Sequence, residues 1–254
     1  MKRLFVILAV LALAVHSRAE PTLPAGADPE KVAQELAQKL RSSSPQENSM
    51  ITGKLRIRPR NGEERSVPIE CTIRIRSDGW ESGYQTYGGN GVPEKVLIIH
   101  RPNAPNEYLF ANGTNAPKPL PRTQAARPLG GSDFWLTDLG MDFLHWPSQR
   151  IIKTQMIKSR WCNVLESINP SPAPGQYARI ISWLDKESGG PLKAEAYDAA
   201  GKTIKEFEIG RVKKVEGEWQ LKDMAIRNVA TGSRTTLEFE LSGKVAEQAR
   251  DSSP

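Results

Sequence analysis

The sequence predicts a mainly β protein of the α+β class, built on one large antiparallel sheet. Three observations predict it. From Tyr177 to Leu241 apolar and polar residues alternate, and turn clusters such as Asp198-Ala-Ala-Gly201 break the alternation at short intervals. The same period of two runs through Ile51–Ile57 and Ile69–Ile75 on either side of Asn61-Gly62, a strong hairpin signal. Only two segments carry the spacing of an amphipathic helix. Two helices cannot cover the oily face of about eleven or twelve strands, and a twisted sheet of that size curls into a half-barrel or barrel.

The chain begins with Lys2 and Arg3, an apolar run from Leu4 to Val15 and the small residues of Ser17-Arg18-Ala19. That order is expected of a secretory leader over residues 1–19, cut near Ala19, and the apolar run is too short to span a bilayer. Cutting there removes Lys2, Arg3 and Arg18 and lowers the formal charge from +6 to +3, so a nucleic-acid partner is not implied. Residues 20–27 are rich in Pro and Ala and are expected to be flexible. A single domain is expected over 28–243, and a frayed polar tail over 244–254.

The first helix is read from Asp28 as N-cap, Pro29 at the first helical position, and an apolar stripe of Val32, Ala33, Leu36, Ala37 and Leu40. In the first hairpin, Leu55, Ile57, Ile73 and Ile75 share an oily face, and Lys54, Arg56, Arg58, Arg74 and Arg76 a basic one. With few aromatic residues between the cations, that basic face reads as solvated. Further strands are expected over Trp80–Tyr87, Lys95–His100 and Glu107–Asn112. Asn112-Gly-Thr is a glycosylation sequon for a source that glycosylates. Residues 113–131 are Pro-rich and aperiodic, a candidate flap. Ser132–Trp146 reads as one short amphipathic helix, with Trp135, Leu139 and Phe143 along one side, weakened by Gly140 and stopped by Pro147. Seven strands then follow, over Ile151–Lys158, Trp161–Asn169, Tyr177–Leu184, Pro191–Tyr197, Thr203–Val212, Trp219–Asn228 and Arg234–Leu241.

No nucleophile elbow, phosphate-binding loop or dinucleotide fingerprint is present, and His100 and His145 have no ligand-type partners at metal spacing. No enzyme activity, cofactor or metal is expected. Asp138 and Asp142, with His145, form the one acid–base set worth naming, as a hydrolase reading; opposite Trp135 and Phe143 the two carboxylates read as a solvated polar face. Cys71 and Cys162 are either a disulfide pair of an exported protein or two separate core thiols. The oily concave face then stands as the working surface. Leu36, Leu55, Ile57, Ile73, Ile75, Trp135, Leu139, Phe143, Trp183, Leu192, Ile204, Leu221, Leu237 and Phe239 are its cavity-wall or lid candidates.

Gly131-Ser-Asp-Phe-Trp-Leu-Thr-Asp-Leu, Arg160-Trp-Cys-Asn-Val-Leu-Glu, Ile181-Ser-Trp-Leu-Asp-Lys-Glu, Pro191-Leu-Lys-Ala-Glu-Ala-Tyr-Asp-Ala-Ala-Gly-Lys and Arg234-Thr-Thr-Leu-Glu-Phe resemble the outer-membrane lipoprotein-sorting proteins, of the superfamily of periplasmic lipoprotein carriers and their receptors. The resemblance is clearest over Gly131–Phe239. It implies an unclosed β-barrel with a helical lid over an apolar cavity. It also implies non-covalent carriage of lipoprotein acyl chains, or of another envelope lipid, across the periplasm. The partners so implied are an inner-membrane donor and an outer-membrane acceptor, with the carrier a monomer. The alternative on the same fold is a lipid- or protein-sensing module without transport.

Overall fold

The computed structural model describes residues 26–215 and 218–241, so the expected leader and most of both terminal stretches lie outside the described residues. Its first element is helix α1 (Pro29–Arg41), where Asp28 caps the first turn by accepting from the Glu30 N–H at 2.9 Å.

Strands β1 (Ser49–Arg58), β2 (Arg65–Arg76), β3 (Gly79–Tyr87), β4 (Pro93–Arg101), β5 (Ala104–Asn112) and β6 (Lys118–Leu120) form a meander in which each strand pairs with the next. Strands β7 (Ser148–Ile157), β8 (Arg160–Ile168), β9 (Arg179–Asp185), β10 (Pro191–Tyr197) and β11 (Thr203–Ile209) form a second. A small ribbon of β12 (Val212–Val215) and β13 (Glu218–Leu221) interrupts it, before β14 (Asp223–Asn228) and β15 (Arg234–Phe239) complete it. The two meanders join where β1 pairs with β15, with Leu55 opposite Leu237. The result is one curved, fully antiparallel sheet of 13 strands whose outer strands, β6 and β7, do not pair with each other.

The ribbon is a correction. Thr203–Val212 and Trp219–Asn228 were expected as two continuous strands, and each is divided. The division falls at Asp223, whose carboxylate accepts from the Arg211 N–H and Nε while its carbonyl accepts from Gly210 N–H. A Cβ on Gly210 would lie 1.8 Å from Asp223 Oδ1, so only glycine lets the chain turn out of the sheet there. Of the two readings of the cysteines, the structure shows the separate core thiols. Cys71 on β2 and Cys162 on β8 are free, buried and in different hydrophobic clusters. Cations of the first hairpin are paired with acids. Glu64 meets Arg56 at 2.9 Å, Glu238 meets Lys54 at 3.8 Å, and Glu81 meets Arg74 at 3.7 Å.

The 27 residues between β6 and β7 cross from one sheet edge to the other. Within the stretch expected as a free flap, β6 pairs with β5, and Ala125 and Leu129 are fully buried. The expected helix over Ser132–Trp146 is broken. A single turn, α2 (Leu136–Leu139), is followed by Met141 in the left-handed region at φ 48° and a 3-10 turn over Asp142–His145. Burial decides this. Asp142, expected in solvent, is buried, as is Asp133, and the kink lets Asp138 and Asp142 reach different partners.

Candidate functional site

The segment 132–146 is a lid held at three places. The first is a buried cation. Lys205 Nζ on β11, only 3% exposed, donates to the Asp133 carbonyl at 2.7 Å and to Asp138 Oδ2 at 3.1 Å. It also lies 3.6 Å from the centre of the Trp135 ring, which stacks on Tyr177 at 4.7 Å. Tyr177 donates to Asp138 Oδ1 at 2.8 Å, and Thr235 donates to Asp133 Oδ2 at 2.9 Å. Burial pulls the Lys205 ammonium below its ordinary value and the Asp138 charge pushes back; burial also raises the Tyr177 phenol.

The second place is Asp142. Its Oδ1 accepts from Tyr108 at 2.6 Å and from Asn106 at 2.8 Å, both on β5, and Arg122 approaches Oδ2 at 3.3 Å. Burial raises this carboxyl, and the Tyr108 hydrogen bond and the Arg122 charge oppose the rise. The third place is Gln149 on β7. Its amide donates to the carbonyls of Phe143 and Trp146, while its oxygen accepts from Ser167 at 2.7 Å. Helix α1 covers the remaining gap, and Arg41 donates to the Leu144 carbonyl.

Beneath the lid lies a predominantly apolar cavity of about 190 Å³. Its walls include Tyr84, Phe134, Ile180, Leu184, Phe207 and Ile226. Polar groups reach it at Lys205 and Asp138 on one side and at Ser82 on the other. Ser82 Oγ lies 2.9 Å from His100 Nε2, and Trp80 stacks on the His100 ring at 3.7 Å. Burial holds His100 down to about 3. His145, whose ring burial and the Arg41 charge depress to about 4, sits at the end of the lid.

Of the wall and lid candidates read from the sequence, Ile73, Leu139 and Phe143 line this cavity. Leu55, Ile57, Leu237 and Phe239 are buried in the solid core under the first part of the lid, with Leu221 packed against it. Leu36, Trp135 and Ile204 pack into the cluster under α1. The structure does not bring the other three to the cavity. Ile75 is 47% exposed at the strand end. Trp183 and Leu192 form a separate cluster with Cys162 and Val164 on the opposite face of the sheet. Register explains both. In β9, Ile180 and Leu184 take the cavity face and Trp183 the other, and in β10 a bulge between Pro191 and Lys193 turns Leu192 away. The Lys205 contacts were missed because a lysine in an alternating strand reads as solvated. The Ser82–His100 contact was missed because cross-strand register alone makes it.

An unclosed antiparallel barrel with a lid over an apolar cavity is the fold of the lipoprotein-sorting proteins that the sequence resembles. Structure comparison finds it in solved proteins, three of which follow. A domain described as an outer-membrane lipoprotein-sorting protein, from Vibrio parahaemolyticus, is 20% identical with a TM-score of 0.68, covering 83% of this chain and 91% of its own. A DUF1329 family protein from Desulfovibrio piger is 17% identical with a TM-score of 0.67, covering 84% and 92%. A LolA superfamily protein from Nitrosomonas europaea is 16% identical with a TM-score of 0.59, covering 85% and 93%. A family model described as an uncharacterized protein matches residues 94–247, and the chain belongs to that family. No curated protein matches the chain.

Proposed function

We propose that this chain is a periplasmic carrier that holds an acyl chain of a lipoprotein, or of another envelope lipid, in the cavity under its lid. The observation that carries the reading is the cavity itself, walled by apolar side chains from both meanders and roofed by the pinned lid. Each buried methylene of such a ligand contributes about 0.8 kcal/mol, so an acyl chain binds without a specific polar partner. A volume of about 190 Å³ is below the range of roughly 300–1,000 Å³ usual for ligand pockets, so the lid shifts when a long chain enters. Delivery from an inner-membrane donor to an outer-membrane acceptor accords with the expected leader and with the fold. Residues Ile73, Leu139 and Phe143 are the proposed contacts from the sequence reading; the core and opposite-face candidates support the fold. Native mass spectrometry of the exported protein tests this. An acyl-bearing species bound one to one is expected, and a chain that stays empty after incubation with envelope lipid extract contradicts it.

A further inference from the structure

The wall that β3 and β4 give the cavity carries chemistry that holding an apolar chain does not use. Register places Trp80 opposite His100 and Ser82 opposite Ile98, so Ser82 and His100 project from one face as diagonal neighbours. Ser82 lines the cavity and its Oγ lies 2.9 Å from His100 Nε2. The stacked Trp80, with rings 12° apart, fixes the imidazole plane. Asn106, close to the ring, donates its amide N–H groups to the Gly140 carbonyl at 2.7 Å and to Asp142 Oδ1 at 2.8 Å. With the ring proton on Nδ1, Nε2 carries the lone pair and the Ser82 hydroxyl donates to it. Trp80 Nε1, on the same strand face, is a buried donor with no acceptor among the described residues.

We infer that Ser82 is a nucleophile and His100 its general base, acting on the ester carbonyl of an acyl chain held in the cavity. This rests on the reading of the cavity as an acyl site. Ser82 Oγ bonds to the carbonyl carbon while its proton passes to Nε2. The carbon–oxygen bond to the leaving alcohol then breaks, and the alcohol takes that proton. Water attacks the acyl-serine, gives a proton to Nε2, and Ser82 recovers it as the fatty acid leaves. The balance is one ester and one water to one acid and one alcohol. Trp80 Nε1 is the assigned donor to the oxyanion, the role such N–H groups play in acyl transfer. Asn106, beside the base, is itself fastened to the lid at Gly140 and Asp142.

The experiment treats the exported full chain with a long-alkyl fluorophosphonate and maps the adduct by peptide mass spectrometry. A fluorescent fatty-acid analogue is titrated in parallel. The expected result is an adduct on Ser82, a labelling rate constant between pH 5 and 8, a loss of at least about tenfold in His100→Gln, and a several-fold slowing in Trp80→Phe. Saturable binding of the analogue with no Ser82 adduct overturns the nucleophile and leaves the carrier. Adducts on other hydroxyls only also overturn it. Neither binding nor adduct removes both readings.

Discussion

Asp138 and Asp142 lie one helical turn apart in the sequence, yet they fasten the lid to opposite halves of the sheet by different means. Asp138 meets a buried ammonium on β11 and a phenol that follows β8. Asp142 meets an amide and a phenol on β5, with a half-exposed guanidinium behind them. Two like side chains thus make a charged latch and a largely neutral one. The distinction matters because removing one member of a buried ion pair strands the other charge in low dielectric, whereas removing a neutral donor leaves an acceptor with other partners.

The largest expected effect comes from breaking the charged latch. Lys205→Met should destabilise the protein by about 3–5 kcal/mol in urea unfolding, since Asp138 loses its cation and stays largely enclosed. Adding Asp138→Leu should recover most of that loss, because two apolar groups replace the pair. A double variant as unstable as the single one would show that Lys205 acts through packing alone. At the neutral latch, Tyr108→Phe should cost about 1.5–3 kcal/mol, the usual worth of a hydrogen bond to a charged group, and clearly less than Lys205→Met.

Acid sharpens the comparison. His100 is neutral in the fold down to about pH 3 and titrates near 6.5 when unfolded. Its depressed value means that the stability it contributes is complete above pH 6.5 and is lost as pH falls toward 3, by about 1.4 kcal/mol per unit while only the unfolded ring binds the proton. His145 acts in the same direction down to about 4, more weakly because it is less buried than His100. Asp142, held above its ordinary value, offsets part of the fall. Thermal unfolding at pH 7, 5.5 and 4.5 should show the decline, and His100→Gln should flatten it. The smallest effect belongs to the convex face. Arg56→Ala, which breaks an exposed pair with Glu64, should change stability by no more than about 1 kcal/mol in the same assay.

The sheet was largely legible because period-two alternation and turn residues are local signals. The first helix was legible from Asp28, Pro29 and its stripe. The lid was legible as amphipathic but not as broken, since what breaks it is the pairing of Asp138 and Asp142 with strands distant in sequence. The cavity wall was read only in part. Ile180 to Leu184 is apolar on both faces, so no pattern distinguishes Trp183 from its neighbours. The bulge that turns Leu192 outward has no local signature, and Cys71 and Cys162 could not be assigned without their places in the sheet.

The central claim is that an acyl chain enters the concave cavity, and one titration tests it most directly. A fluorescent long-chain fatty-acid analogue is added to the purified protein and to Ala194→Phe, which puts a ring into the cavity wall. The carrier account predicts saturable one-to-one binding that falls at least about tenfold in the filled variant, a loss of about 1.4 kcal/mol or more. Equal binding by the two proteins, or none by either, would contradict it.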